Sequence, residues 1–269
     1  MVDARFAYYG HLFNTTQGQG AASQDEEADL LVGELLLEAV DEWLAEPASK
    51  DSVRLLQAAR AQLAPEGTPQ GVGAVARHVL TAANTLLSVP GLRTFGGWAS
   101  AGLMVGQLRQ VARYLRRGEA DAEGATLDVR IRRCVAQYLD PSRPTIVIAH
   151  SLGTVVSYET LHAYQGSVPL LVTIGSPMGM SMAVRPRMRP QPLKVPDAVE
   201  RWLNFWDRDD FIAGRPLLEK VVQPNRRSVR PCSRRVDSDG LLVHPAAKYL
   251  AHGRVAGPVV EAIEMATRS

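Results

Sequence analysis

The sequence predicts an α/β protein, a mostly parallel sheet flanked by helices with a helical insertion ahead of its central turn. Three observations predict it. Residues 145–148 (Thr-Ile-Val-Ile) form a continuous apolar run rich in β-branched residues and bounded by Pro141 and Pro144. A strand buried on both faces of a parallel sheet reads this way. Two further runs, at 168–174 and 201–206, follow with a helical segment after the first strand. Between 148 and 154 the chain passes from strand to helix through Ala149-His150-Ser151-Leu152-Gly153 with no spacer.

Taken in order, residues 4–9 (ARFAYY) read as a strand, and 14–24 as a polar, Gly-rich loop. Ser23 with Glu26 makes a capping box that opens a helix running to about Ala45, with an apolar stripe through Leu31, Leu35, Val40 and Trp43. A second helix is expected over 52–63, ending before Pro65. Residues 71–108 are rich in Gly, Ala and Leu, carry only Arg77 and Arg93 as charges, and are broken at Pro90-Gly91 and Gly96-Gly97. Two apolar helices are expected there. They read either as a cover over the site or a membrane-surface hairpin, or as ordinary buried helices. Residues 107–117 continue as a helix with a basic end and a Gly118 stop, and 127–139 form another, closed by Asp140-Pro141. After the turn come a helix at 155–164, strands at 168–174 and 201–206, and helices at 244–250 and 255–267. No repeat or linker interrupts the chain, so residues 1–269 are read as one domain, with 71–117 as its insertion.

Composition narrows the class. The 269 residues are 46% hydrophobic and 22% charged, the balance of a globular chain with a sizeable core. Cys134 and Cys232 are too few for a disulfide framework and lack metal-ligand spacing. The N-terminus has no signal-peptide pattern, and the longest stretch without an Asp, Glu, Lys or Arg, 160–184, is broken by glycines and prolines. No membrane span is expected, and a cytoplasmic location is the default. The net charge of +2 hides an acidic stretch at 25–51 and an arginine-rich one at 185–235. The latter is either a basic rim for an anionic substrate or lipid surface, or a solvated face, the preferred reading. Its arginines are not interleaved with stacking aromatics, so no nucleic-acid partner is expected.

The turn carries the chemistry. A serine on so sharp a strand-to-helix passage has strained backbone and an exposed hydroxyl, and small residues two before and two after it let strand and helix approach. That is the logic of the G-x-S-x-G elbow, with Ala149 in place of the first glycine. The competing reading is a serine in an ordinary tight turn; the flanking strand and helix favour the elbow. The Leu152 N–H faces the place of an oxyanion, at a positive helix N-terminus. A serine hydroxyl needs a histidine to take its proton and a carboxylate to orient that histidine. Asp207, Asp209 and Asp210 all follow a strand end, and His244 and His252 both lie near the C-terminus. His150 is expected to point away from the active face, in a structural role; His11, His78 and His162 read as surface or core residues.

Ile146 to Thr154 (IVIAHSLGT), Thr173 to Gly179 (TIGSPMG), Trp202 to Gly214 (WLNFWDRDDFIAG) and His244 to Leu250 (HPAAKYL) together resemble the α/β-hydrolase superfamily. The likeness is to its lipase-like branch with the bacterial proteins similar to GPI inositol-deacylases, and covers about residues 146–260. The resemblance implies a helical lid for 71–117. It also implies that Asp210, before Phe211-Ile212-Ala213, is the triad acid, and that His244, opening an H-x-x-x-x-Y-L segment, is the base. His244 also precedes a helix start at Pro245, where a side chain can project over the sheet, whereas His252 sits at a helix end beside Gly253. The departure is at the start. Family members open with a strand ending in His-Gly, whose loop donates a second oxyanion N–H, ahead of a strand resembling RFAYYGHLF. Either the chain is truncated and lacks the usual N-terminal strands, or residues 4–9 occupy the gap and Gly10 supplies that donor. One such donor is worth about 2.7–4 kcal/mol.

Two functions from different classes follow. One is a serine esterase acting on a small-molecule or lipid ester through Ser151, His244 and Asp210, with no cofactor or metal and with peripheral membrane contact. The other is a catalytically weak or inactive protein of the same fold that serves binding or assembly.

Overall fold

The computed structural model describes residues 2–14, 21–46, 49–64, 73–90, 92, 98, 100–213, 216–237 and 244–268. Four parallel strands form one sheet in the order β1 (Val147–His150), β2 (Leu171–Ile174), β3 (Trp202–Asp207) and β4 (Pro231–Val236). Val147 pairs with Leu171, Leu171 with Trp202, and Trp202 with Pro231, so all four carboxyl ends reach the same edge. In open α/β sheets that edge is where sites are built.

Period-two alternation separates the two faces. Val172, Ile174, Leu203 and Phe205 pack with Tyr249 and Val255 of the C-terminal helices α7 (Ala246–Ala251) and α8 (Gly253–Arg268). On the other face Leu171 and Trp202 join the larger core with α6 (Leu152–Leu161). That core also takes in α1 (Ala21–Ala45), α2 (Lys50–Leu63), α3 (Ala74–Leu86), α4 (Ala101–Arg116) and α5 (Leu127–Ala136). A buried polar row crosses the sheet: Trp202 Nε1 donates to Thr173 Oγ1 (2.9 Å), which donates to Asn204 Oδ1 (2.8 Å), while Asn204 Nδ2 reaches Ser233 Oγ (3.3 Å). Each buried polar atom in it has a partner, as burial demands.

Several elements differ from expectation. Residues 4–9 form no strand: they are irregular, with Phe6 81% and Tyr8 58% exposed. Without a ladder partner the apolar pattern of this run has no sheet to join, and β1 is left as an edge strand with Ile148 43% exposed. Helix α1 begins at Ala21, before Ser23, whose side chain lies outside the described residues. Helix α2 begins earlier than expected because Ser49 caps it, its hydroxyl accepting from Ser52 N at 3.1 Å. Helix α4 ends in a left-handed Arg117 (φ 55°) and not at Gly118. Strand β4 was not expected at all. Gly91, Gly96, Gly97 and residues 240–243 lie outside the described residues.

The charge asymmetry is largely answered within the chain. On α1, Asp29 pairs with Arg109 (2.5 Å), Glu27 with Arg116 and Glu34 with Arg187 (2.8 Å). Glu38 accepts the N–H groups of Ser181, Met182 and Ala183. Arg226, Arg227 and Arg235 pair with Asp197, Glu200 and Asp237. The buried Glu159 is held by Arg117, Arg132 and the Tyr114 hydroxyl. No described helix is long and apolar enough to cross a membrane.

Candidate active site

Ser151 joins β1 to α6 with φ 50° and ψ −129°. A non-glycine residue held there stores roughly 1–3 kcal/mol of strain, and its neighbours pin it in place. Its N–H donates to Ile174 O (3.1 Å), extending the β1–β2 ladder into the turn. Its carbonyl accepts from Thr154 N (2.9 Å) and Thr154 Oγ1 (2.7 Å), and Thr154 Oγ1 also meets Ser176 Oγ at 2.7 Å. Leu152 is the first residue of α6, so its N–H belongs to the first helical turn, which has no intrahelical acceptor.

Asp210 lies three residues past the end of β3, with its side chain fully buried. Its carboxylate is saturated. Oδ1 accepts from Ile212 N (3.2 Å) and Ala213 N (3.3 Å), Oδ2 from the Tyr249 hydroxyl (2.8 Å), and both oxygens lie 2.9 Å from His244 Nδ1. Burial opposes its ionisation, but the charge of His244 and these hydrogen bonds outweigh it, and its pKa falls below the usual carboxylate value. The mirror holds for His244. Burial disfavours its cation, yet the charge of Asp210 and the shared hydrogen bond raise its pKa. With Nδ1 committed to Asp210, Nε2 is the ring atom left for proton transfer.

Asp207 and Asp209 do not reach His244. Asp207 Oδ1 accepts from Asp209 N (3.0 Å), and Asp209 has its pKa raised by burial and by Asp207. His252 closes α7 through its backbone N–H on Tyr249 O, and its Nδ1 accepts from Arg254 N in the first turn of α8 at 3.2 Å.

The expectation that His150 points away from this site is overturned. Its ring lies 4.8 Å from that of His244, and its Nε2 is 2.6 Å from the His244 carbonyl oxygen. That contact makes Nε2–H the donor. Burial first, and the charge of His244 second, lower the His150 pKa to about 4, so the ring is neutral. His244 also stacks against Trp98 at 6.1 Å, whose Nε1 donates to Gln107 Oε1 of α4 (2.7 Å). His244 is thereby 8% exposed, and residues from the 71–117 segment form part of its wall. Ser151 and His244 are brought to the same edge, His244 touching the residue before the serine, but their side chains do not hydrogen-bond. Such bonds commonly tighten only when substrate is bound.

Three supporting residues had no role assigned from sequence: Trp98, Gly175 and Tyr249. Gly175 has φ +54°, and a Cβ there would stand 3.0 Å from Asp210 Oδ2 and 3.4 Å from His150 Nε2. Tyr249 was visible only as a letter five places after His244. One helical turn and a loop bring its hydroxyl back to Asp210, while it accepts from Asp207 N at 3.1 Å. Tyr249→Phe is expected to cost about 1–3 kcal/mol of stability by leaving the Asp207 N–H unpaired, seen as a lower urea midpoint, with a smaller loss of turnover than Asp210→Asn.

Among the described residues, no group of three or more His, Cys, Asp or Glu side chains is placed to hold a metal ion. Comparison with protein-family models, with curated proteins and with solved structures finds no match for this chain.

Proposed function

We propose that the protein is a serine hydrolase that cleaves a carboxylic ester. The observation that carries this reading is the joint arrangement at the sheet edge: a serine in a strained strand-to-helix turn, and a histidine whose Nδ1 is fixed on a buried, saturated carboxylate. Ser151 Oγ attacks the ester carbonyl as His244 Nε2 takes its proton. The negative charge passes to the carbonyl oxygen, which the Leu152 N–H stabilises. The tetrahedral adduct collapses to an acyl-enzyme, and the alcohol leaves with the proton from His244. Water then repeats the sequence and frees the acid.

Lipid esters belong to the substrate class. Leu80 on α3 and Leu103 on α4, 44% and 55% exposed, support contact with a lipid surface. A fluorophosphonate tests the reading. Stoichiometric labelling is expected of the native chain and none of Ser151→Ala; equal labelling of both refutes it. One observation favours the second reading, a binding protein of the same fold. Among the described residues β1 is an edge strand, and no strand pairs with it on its open side to deliver a second oxyanion N–H.

A further inference from the structure

Tyr9 reaches the helical side of the elbow, at Gly153. Its hydroxyl comes within 3.3 Å of the point a Cβ on Gly153 would take, against the first turn of α6 and one residue beyond the Leu152 N–H. The ring is fixed from behind, packed on the larger core and edge-on to Phe13 at 6.5 Å. The backbone is fixed as well, since Leu12 N donates to Tyr9 O at 3.0 Å in the 3-10 turn Gly10–Asn14. Among the described residues the Tyr9 hydroxyl has no hydrogen-bond partner, unlike the hydroxyls of Tyr114, Tyr158, Tyr164 and Tyr249. Burial pushes its pKa up to about 12, so it remains an O–H donor throughout the working range of a histidine base. From this segment it is a side chain that reaches the elbow.

We propose that the Tyr9 hydroxyl is the second oxyanion donor, acting with the Leu152 N–H on the carbonyl oxygen of the ester under attack. The assignment rests on the hydrolase reading and completes it, because a side-chain donor beside the elbow joins the Leu152 N–H. No covalent change is asked of Tyr9. It keeps its proton while the oxyanion gains and then loses charge, and stabilises that charge more than the neutral carbonyl.

The experiment is the steady-state hydrolysis of a p-nitrophenyl ester by the full chain and by Tyr9→Phe. Loss of one oxyanion donor is expected to lower kcat by about 10²–10³-fold with KM within about twofold. Affinity for a trifluoromethyl ketone, which forms the oxyanion on Ser151, should fall by a similar factor. A merely structural tyrosine would move the melting temperature and KM and leave the ratio of ketone to ester binding unchanged. Gly153→Ala supplies a second arm. Its Cβ crowds the hydroxyl, so it should slow the native chain but add little in the Tyr9→Phe background. Ser151-dependent turnover that Tyr9→Phe leaves within threefold of native overturns this proposal alone. Absence of turnover and of any Ser151 adduct in the native chain overturns the hydrolase reading and this proposal with it.

Discussion

Replacing His244 by alanine is expected to lower kcat by about 10⁴–10⁶-fold, the range for removing the base of a serine triad. His252→Ala should stay within about threefold of native. The contrast follows from what each ring touches. Among the described residues His244 is the only histidine bonded to a buried carboxylate, and its Nε2 is left for proton transfer. Among the described residues the His252 ring only accepts one backbone N–H, in the first turn of α8. Circular dichroism of both variants separates chemistry from folding. A large loss in His252→Ala and a small one in His244→Ala would mean that the base is misassigned.

Asp210→Asn should lower kcat by about 10⁴-fold, because it places the His244 proton on the wrong nitrogen. Asp210 Oδ1 accepts two backbone N–H groups, so the amide oxygen takes that position and its NH₂ falls on Oδ2, against His244 Nδ1. That NH₂ competes for Nδ1, and where Nδ1 accepts from it the proton sits on Nε2, where a lone pair is needed. The pH profile should change as well. In the native chain His244 titrates above 6.5, so kcat/KM should rise with pH through a midpoint above that value. Without the carboxylate only burial acts on the ring, and the midpoint should fall below 6.5.

Stability follows with opposite signs. The lowered pKa of Asp210 contributes stability that is present above its unfolded value of 3.8 and is lost as pH falls through the folded one. The raised pKa of His244 contributes stability that is full below 6.5 and is lost as pH rises through its folded value. Denaturant titrations across pH should show both limbs in the native chain and neither in Asp210→Asn. A pH–rate limb unmoved by Asp210→Asn would count against the pair.

The strands were legible where burial on both faces writes a continuous apolar run, as in β2 and β3. Strand β4 was not, because it is an edge strand: Pro231 opens it, and Ser233, Arg234 and Arg235 interrupt the apolar pattern. Residues 4–9 show the converse, an aromatic run with strand composition and no ladder, since pairing depends on a neighbour the run does not encode. The elbow was legible because its strain and its small residues are local. Among the three aspartates, residue chemistry alone left the choice open. What singles out Asp210 is that its carboxylate faces two loop N–H groups, Tyr249 and His244, contacts made across 34 and 39 residues. His150 was misread for a similar reason. Its neighbourhood is made by His244 and Gly175, both remote in sequence, and adjacency to Ser151 did not reveal where its ring would lie.

The central claim is that Ser151 is a nucleophile activated by His244 and Asp210. Its most direct test is the mass of the peptide that carries a fluorophosphonate adduct after reaction with the native chain. A single adduct on the peptide containing Ser151, at one per chain and formed far more slowly in His244→Ala, is the expected result. An adduct on a different serine, or one on Ser151 that forms at the same rate without His244, would contradict it.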